Sequence, residues 1–194
     1  MKIQTFALEK NFSRIDFGDE QAVWIGDPCY IVPSWNDDDN LWDALVSKMF
    51  RSVTRQHPTT GEVYTSSEEP FDSRNTIRAV RISSPLLDKP TDFYMWSTAY
   101  GDGCYKLLYK NTQIASLGVD AGCLSIIPMS LIKAWGKESQ TNTGTVVTRF
   151  SNNAELYVED GNMFWGPDFV LPTGGSDLEE EEDEWMECDE NSYC

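Results

Sequence analysis

The sequence predicts a β-rich α+β domain: a twisted antiparallel sheet, curved like a barrel or a sandwich, with one amphipathic helix packed against it. Short apolar and β-branched runs recur along the 194 residues and are separated by turns rich in Gly, Pro, Asn and Asp, which is the pattern of antiparallel strands. The stretch 39–50 has helical periodicity instead, because Leu41, Leu45 and Met49 recur every four residues. With 40% hydrophobic residues, the chain can bury the core of a single domain.

The order of the elements follows from these runs and their turns. The two strands on either side of Asp102-Gly103 are predicted to form a hairpin that closes on this dipeptide. A short helix or turn is expected at 130–135, and residues 51–75 are expected to be irregular because Pro, Gly and Ser interrupt them. Strands are predicted at 1–8, 11–17, 22–25, 77–82, 93–100, 104–109, 113–119, 123–127, 144–150, 154–158 and 162–165.

The charge divides the chain into a globular domain at 1–172 and an acidic, disordered tail at 173–194. Ten acids and no Lys or Arg occur from Ser176 onward, whereas residues 1–175 hold 22 acids against 15 bases. Such a density of like charge resists folding by itself.

This balance argues against direct nucleic-acid binding, which needs clustered positive charge. Basic residues gather only around the stretch predicted to be irregular, where they form either a solvated face or an anion or partner site: Lys48, Arg51, Arg55, Arg74, Arg78 and Arg81. No apolar run is long enough to cross a membrane. An exposed β edge would permit a homodimer.

The cysteines predict a reducing, cytoplasmic environment. All five are scattered without a Cys-x-x-Cys spacing, and no apolar leader opens the chain. We expect Cys29, Cys104 and Cys123 to act as small buried residues. Cys188 and Cys194, in the tail, are expected to be exposed and easily oxidised.

Few residues offer catalytic chemistry, so an enzyme is the less favoured class and no catalytic residue is assigned. His57 is the only histidine, and it lies in a polar stretch before a proline. A Ser-His-Asp or Cys-His arrangement would have to use it, and the same shortage disfavours zinc bound by Cys and His. The sequence also has no P-loop and no nucleotide-binding fingerprint.

Three Asp-Gly stretches remain as the candidate site: Gly26-Asp27-Pro28, Gly101-Asp102-Gly103 and Asp120-Ala121-Gly122. If Asp27, Asp102 and Asp120 converge at one end of the fold, their oxygens could hold Mg²⁺ or Ca²⁺. The structural alternative is favoured, because Asp next to Gly is common turn chemistry. No other cofactor is expected.

The tail is the candidate for partner binding. Apolar anchors are embedded there in a run of acids, a combination that suits folding on a basic partner with an aromatic pocket. The alternative is a tail that only increases solubility. The predicted contact residues are Glu181, Glu182, Asp183, Glu184, Trp185 and Met186.

The stretches Ile25–Tyr30, Thr98–Gly103 and Leu117–Gly122 resemble a family of small, mostly uncharacterised proteins of tailed bacteriophages and some bacteria. The resemblance covers about 22–35 and 93–128 and implies no activity. It implies a phage accessory protein in the bacterial cytoplasm, expected to inhibit a host or anti-phage defence protein with a basic surface, in the manner of acidic proteins that imitate DNA. The alternative is a metal-dependent hydrolase or a nucleotide-binding protein that uses Asp27, Asp102 and Asp120.

Overall fold

The computed structural model describes residues 2–7, 12–15, 17–33, 41–42, 45, 51–56, 63–68, 77–151 and 153–173. Two six-stranded antiparallel sheets account for most of these residues. The first sheet has the order β1-β6-β7-β10-β3-β11, and the second has the order β2-β12-β13-β14-β8-β9. The strands are β1 (Lys2–Ala7), β2 (Phe12–Ile15), β3 (Val23–Gly26), β4 (Arg51–Gln56), β5 (Val63–Glu68), β6 (Arg78–Ser83), β7 (Thr91–Ser97), β8 (Gly103–Tyr109), β9 (Thr112–Val119), β10 (Cys123–Pro128), β11 (Thr145–Val147), β12 (Ala154–Glu159), β13 (Asn162–Trp165) and β14 (Phe169–Leu171).

The main core lies between the two sheets, so the sandwich form of the predicted fold is confirmed. Ile25 and Trp96 of the first sheet belong to one buried cluster with Leu107, Leu156 and Trp165 of the second. The side chains of successive strand residues point to opposite faces, so each strand contributes alternate residues to this layer. Within the described ranges neither sheet closes on itself, and there is no closed barrel.

A second core covers the other face of the first sheet. Trp24, Phe93 and Ile127 pack there with Leu41 and Leu45, the two leucines that predicted the amphipathic helix. Residues 41–42 and 45 are helical, and the rest of the predicted helix lies outside the described residues. The short helix α1 (Met129–Ala134) packs into the same cluster and confirms the helix or turn predicted at 130–135.

The predicted hairpin at Asp102-Gly103 is wrong. Strand β7 pairs with β6 and β10 in the first sheet, whereas β8 pairs with β9 and β14 in the second. The segment between β7 and β8 therefore crosses from one sheet to the other, and the segment between β9 and β10 crosses back. The sequence contains a signal of this difference, because β7 is an apolar run, whereas apolar and polar residues alternate along much of β8. Strand β7 is accordingly buried on both faces between the two cores, and β8 has one face exposed to solvent.

One further expectation needs correction. The stretch predicted to be irregular contains β4 and β5, which pair as an antiparallel hairpin, because β-branched and aromatic residues favour strands there. Strand β14, which was not among the predicted strands, lies near the end of the predicted domain, and Thr173 after it is buried. None of the helices among the described residues is long and apolar enough to span a membrane.

Candidate functional site at the loop edge

The three Asp-Gly stretches meet at one edge of the sandwich. One follows β3, and the other two are the crossings between the sheets, from β7 to β8 and from β9 to β10. We call residues 26–30, 98–103 and 120–122 the loop edge. Hydrogen bonds join its three segments, so the convergence that the sequence left open holds for the loops.

Asp27 is the buried centre of the loop edge, with 0% of its surface exposed. Its Oδ1 accepts a hydrogen bond from the Cys29 backbone N–H at 2.9 Å and thereby caps the 3-10 helix Pro28–Tyr30. Its Oδ2 accepts from the backbone N–H groups of Asp120 and Ala121, both at 2.7 Å. Hydrogen bonds to a carboxylate are stronger than neutral ones, so this side chain fastens the β3 and β9–β10 segments together.

Thr98 makes the corresponding link between the β7–β8 and β9–β10 segments, and Tyr105 of β8 bonds to the β7–β8 segment itself. The Thr98 backbone N–H donates to the Gly122 carbonyl at 3.0 Å, and its hydroxyl donates to the Gly101 carbonyl at 2.6 Å. The Tyr105 hydroxyl donates to the same Gly101 carbonyl at 2.8 Å. Gly122 adopts φ +62° and lies against Gly101, where a Cβ atom would stand 3.5 Å from the Gly101 Cα. A contact at that distance is ordinary, so it is the left-handed backbone that favours glycine at this position.

Thr173 is a residue of this region that the sequence analysis missed. It is 1% exposed, and its hydroxyl donates to the Gly161 carbonyl and accepts from the Ala99 backbone N–H. Its own backbone N–H donates to the Asn162 side chain at 2.9 Å. These bonds attach the end of the second sheet to the β7–β8 crossing. No local pattern marks the residue, because all of its partners are distant in sequence.

The side chains that the loop edge presents to solvent are aromatic and acidic. Tyr100 is 71% exposed, and Asp102 and Asp120 are also exposed. The half-buried Tyr30 donates its hydroxyl to Asp120 Oδ2. Burial and this bond to a carboxylate raise the pKa of Tyr30, because ionisation would place a second negative charge beside the first.

These positions favour the structural interpretation of Asp27 over a metal site. Its two oxygens already accept three backbone hydrogen bonds, while Asp102 and Asp120 face solvent. Across the described ranges, no group of three or more His, Cys, Asp or Glu residues is arranged to hold a metal ion. The predicted Mg²⁺ or Ca²⁺ at these three residues therefore gains no support from the fold.

A cleft lies away from these aspartates. It has a volume of about 640 Å³ and opens between the β2–β3 segment, the β6–β7 segment and α1. Apolar Phe17 and Leu87 line it together with Lys89, Lys133 and acidic neighbours. Because none of Asp27, Asp102 and Asp120 reaches it, the cleft lends no weight to a nucleotide site built on them.

The cysteine expectations are correct in part. Cys123 is buried and Cys29 is half-buried, and both carry thiols rather than disulfides. Burial raises the pKa of the Cys29 thiol, and the neighbouring Asp27 carboxylate adds to the effect, so Cys29 is a poor nucleophile. Cys104 was predicted to be a reduced, buried residue; it is instead exposed and disulfide-bonded.

The remaining predicted residues divide into two groups. Arg81 of the predicted basic neighbourhood makes a bidentate ion pair with Asp92, at 2.7 Å for each bond, and Arg78 is buried. A face of solvated charge is therefore the better description of Arg81. Outside the described residues lie His57, the side chains of Lys48, Arg51, Arg55 and Arg74, and the predicted tail contacts Glu181, Glu182, Asp183, Glu184, Trp185 and Met186.

Comparison with known proteins finds no matching family model, no similar curated protein and no similar solved structure. The resemblance to phage proteins thus stays a prediction.

Proposed function

We propose that this protein is a non-enzymatic binding protein whose loop edge engages a basic surface on a protein partner. One observation carries the proposal: hydrogen bonds fix three loops into a single edge, and this edge turns Tyr100, Asp102 and Asp120 outward. A rigid edge loses little conformational entropy on binding, because its loops are already ordered.

The chemistry of the exposed side chains suits such a partner. Tyrosine is a frequent anchor of protein interfaces because it combines a large apolar ring with a polar hydroxyl. Carboxylates beside it would pair with Lys or Arg of the partner and accelerate the encounter. The formal net charge of −17 extends this attraction beyond the contact itself.

The resemblance to phage proteins supports a narrower form of the proposal. In that form the protein is a phage accessory protein in the cytoplasm of a bacterial cell. The partner would be a host or anti-phage defence protein, and the acidic surface would occupy a groove that normally holds DNA. The tail acids with Trp185 and Met186 would supply a second contact. This narrower form rests on analogy.

The test is a pull-down from bacterial lysate with four forms of the chain, read by mass spectrometry. These are the unaltered chain, the double variant Tyr100→Ser/Asp102→Lys, the control Asp88→Lys on an exposed loop elsewhere, and a chain ending at Gly175. We expect a stoichiometric partner that the control retains and the double variant loses, with retention falling as salt rises.

The outcomes separate the two contacts. A partner lost only with the truncated chain would place the interface in the tail and overturn the role of the loop edge. A partner retained by all four forms would overturn both contacts. If no form retains a partner, the proposal fails for that lysate.

A further inference from the structure

The outer face of the second sheet carries a row of apolar side chains that neither core explains. Tyr157 pairs with Phe164, Phe164 with Val170 and Val170 with Leu108, so the four residues stand side by side across β12, β13, β14 and β8. We call them the apolar row. All four are half-buried, and they belong to neither hydrophobic cluster of the described residues. The rings of Tyr157 and Phe164 stack with centroids 4.6 Å apart.

Cys104 lies on the same face as the apolar row. Along β8, Tyr105 and Leu107 are buried toward the core, so Cys104, Lys106 and Leu108 point outward. Cys104 is disulfide-bonded, while Cys29 and Cys123 carry thiols. Of the five cysteines of the sequence, Cys188 and Cys194 therefore remain as its possible partners within one chain.

We propose that residues 174–194 fold back on this face, with Trp185 and Met186 covering the apolar row and Cys188 or Cys194 bonded to Cys104. The inference does not depend on the proposed function: the tail can dock in this way whether or not the loop edge binds a protein. It assigns to the chain's own body the apolar anchors that the sequence assigned to a partner.

The path of the chain permits this arrangement. The described body ends at Thr173, two residues after the end of strand β14, which contributes Val170 to the apolar row. Fifteen residues lead from Thr173 to Cys188, and an extended chain of that length spans about 50 Å. Cys194 lies still farther along the chain, so neither cysteine is prevented by length from reaching Cys104.

The charges favour the same occupant. Exposed Lys106 stands on the outer face between Cys104 and Leu108, and Lys110 lies just beyond the row at the β8–β9 turn. The tail brings ten acids and no base, so it would place carboxylates near both lysines. A net charge of −17 opposes the approach of a second copy of this chain. Repulsion also acts on the acidic tail, but the tail is attached close to β14, so its effective concentration at this face is high.

Redox state would then control the tail. The disulfide forms when two thiols give two electrons and two protons to a small-molecule disulfide such as oxidised glutathione, which leaves as two thiols. Dithiothreitol reverses the reaction and frees the tail from its covalent attachment. Trp185 and Met186 would be covered in the oxidised protein and more accessible in the reduced one.

The first test is peptide mapping of the full chain under non-reducing conditions. We expect one intramolecular crosslink between the Cys104 peptide and a peptide with Cys188 or Cys194, removed by dithiothreitol. A crosslink between two chains, a different partner for Cys104, or an unlinked Cys104 in protein equilibrated with oxidised glutathione would overturn the attachment.

The second test asks whether Trp185 contacts the apolar row, or is near the body only because the disulfide attaches the tail there. In glutathione redox buffers, the equilibrium for closing the disulfide reports how often the tail thiol meets Cys104. We expect Trp185→Ser to lower this equilibrium constant by about tenfold, the lower end of what burying a large apolar side chain contributes. Asn191→Ser, a polar exchange in the same segment, serves as the control and should leave it unchanged.

A matched pair on the body completes the design. Val170→Asp places a charge in the apolar row and should lower the same constant by several-fold, whereas Val146→Asp, at a 42% exposed valine of the first sheet, should not. Near-ultraviolet circular dichroism verifies that both variants fold. Trp185→Ser leaves the body unaltered, so an equilibrium constant equal to that of the unaltered chain would by itself refute docking.

Discussion

At the loop edge, backbone and side-chain groups hydrogen-bond to one another, and the residues that face solvent are polar or aromatic. Along the apolar row, four apolar side chains face outward and belong to neither hydrophobic cluster of the described residues. The three Asp-Gly stretches that formed the candidate site all lie in the loop edge, and none of them lies in the apolar row. These motifs therefore identify the loops that hydrogen bonds hold together. The apolar row, which exposes apolar side chains, has no such motif in the sequence.

The largest effect on the free energy of unfolding is expected for a substitution of Asp27. Asp27→Ala removes the acceptor of three backbone N–H groups, and we expect the free energy of unfolding to fall by about 3 to 5 kcal/mol. Asp102→Ala is the matched control at an exposed aspartate, with an expected change within about 0.5 kcal/mol. Urea denaturation at neutral pH measures both. Equal losses for the two variants would refute the division into a buried fastening residue and an exposed contact residue.

A smaller effect is expected in the apolar row. Phe164→Ala removes the ring that stacks on Tyr157, and such aromatic pairs contribute about 1 kcal/mol beyond the area they bury. In the oxidised chain we expect a larger loss of unfolding free energy than in the reduced chain, because the variant also loses contact with the tail. Chemical denaturation with and without dithiothreitol provides the comparison. The same loss in both redox states would argue against a covered row.

The smallest effect concerns the response of the loop edge to alkali. The folded state raises the pKa values of Cys29 and Tyr30 above their ordinary values of 9.0 and 10.0. The unfolded chain therefore loses these protons first, so the stabilisation is complete below pH 9 and declines as the pH rises beyond it. Tyr30→Phe should make the decline above pH 10 shallower. Urea denaturation at a series of pH values measures the slope, and a slope unchanged by the substitution would contradict the role of Tyr30.

Part of the loop edge was predictable because Gly and Asp specify turns locally. The positions of the three turns follow from such signals, whereas the sequence left open whether the turns converge. The sequence could not show which aspartate would be buried, since Asp27, Asp102 and Asp120 have similar neighbours. Asp27 differs because the N–H groups of Asp120 and Ala121 come within reach of it across the fold.

The hairpin predicted at Asp102-Gly103 failed for a related reason. A short glycine-containing segment can join neighbours in one sheet or cross between two sheets, and its residues alone do not distinguish these cases. The burial of β7 on both faces decides the matter, because its second face needs the helical layer that contains Leu41 and Leu45. Thr173 escaped notice in the same way, since its partners Ala99 and Gly161 are distant in the chain.

By itself, the sequence determined the β-rich class, the positions of most strands and turns, and the separation of an acidic tail from a mildly acidic body. These properties depend on residues close together in the chain. Only the tertiary structure decided which strands share a sheet, which carboxylate is buried, and that Leu108, Tyr157, Phe164 and Val170 form one row. The physical reason is that strand pairing joins residues far apart in sequence, and their register is set by the packing of the whole core.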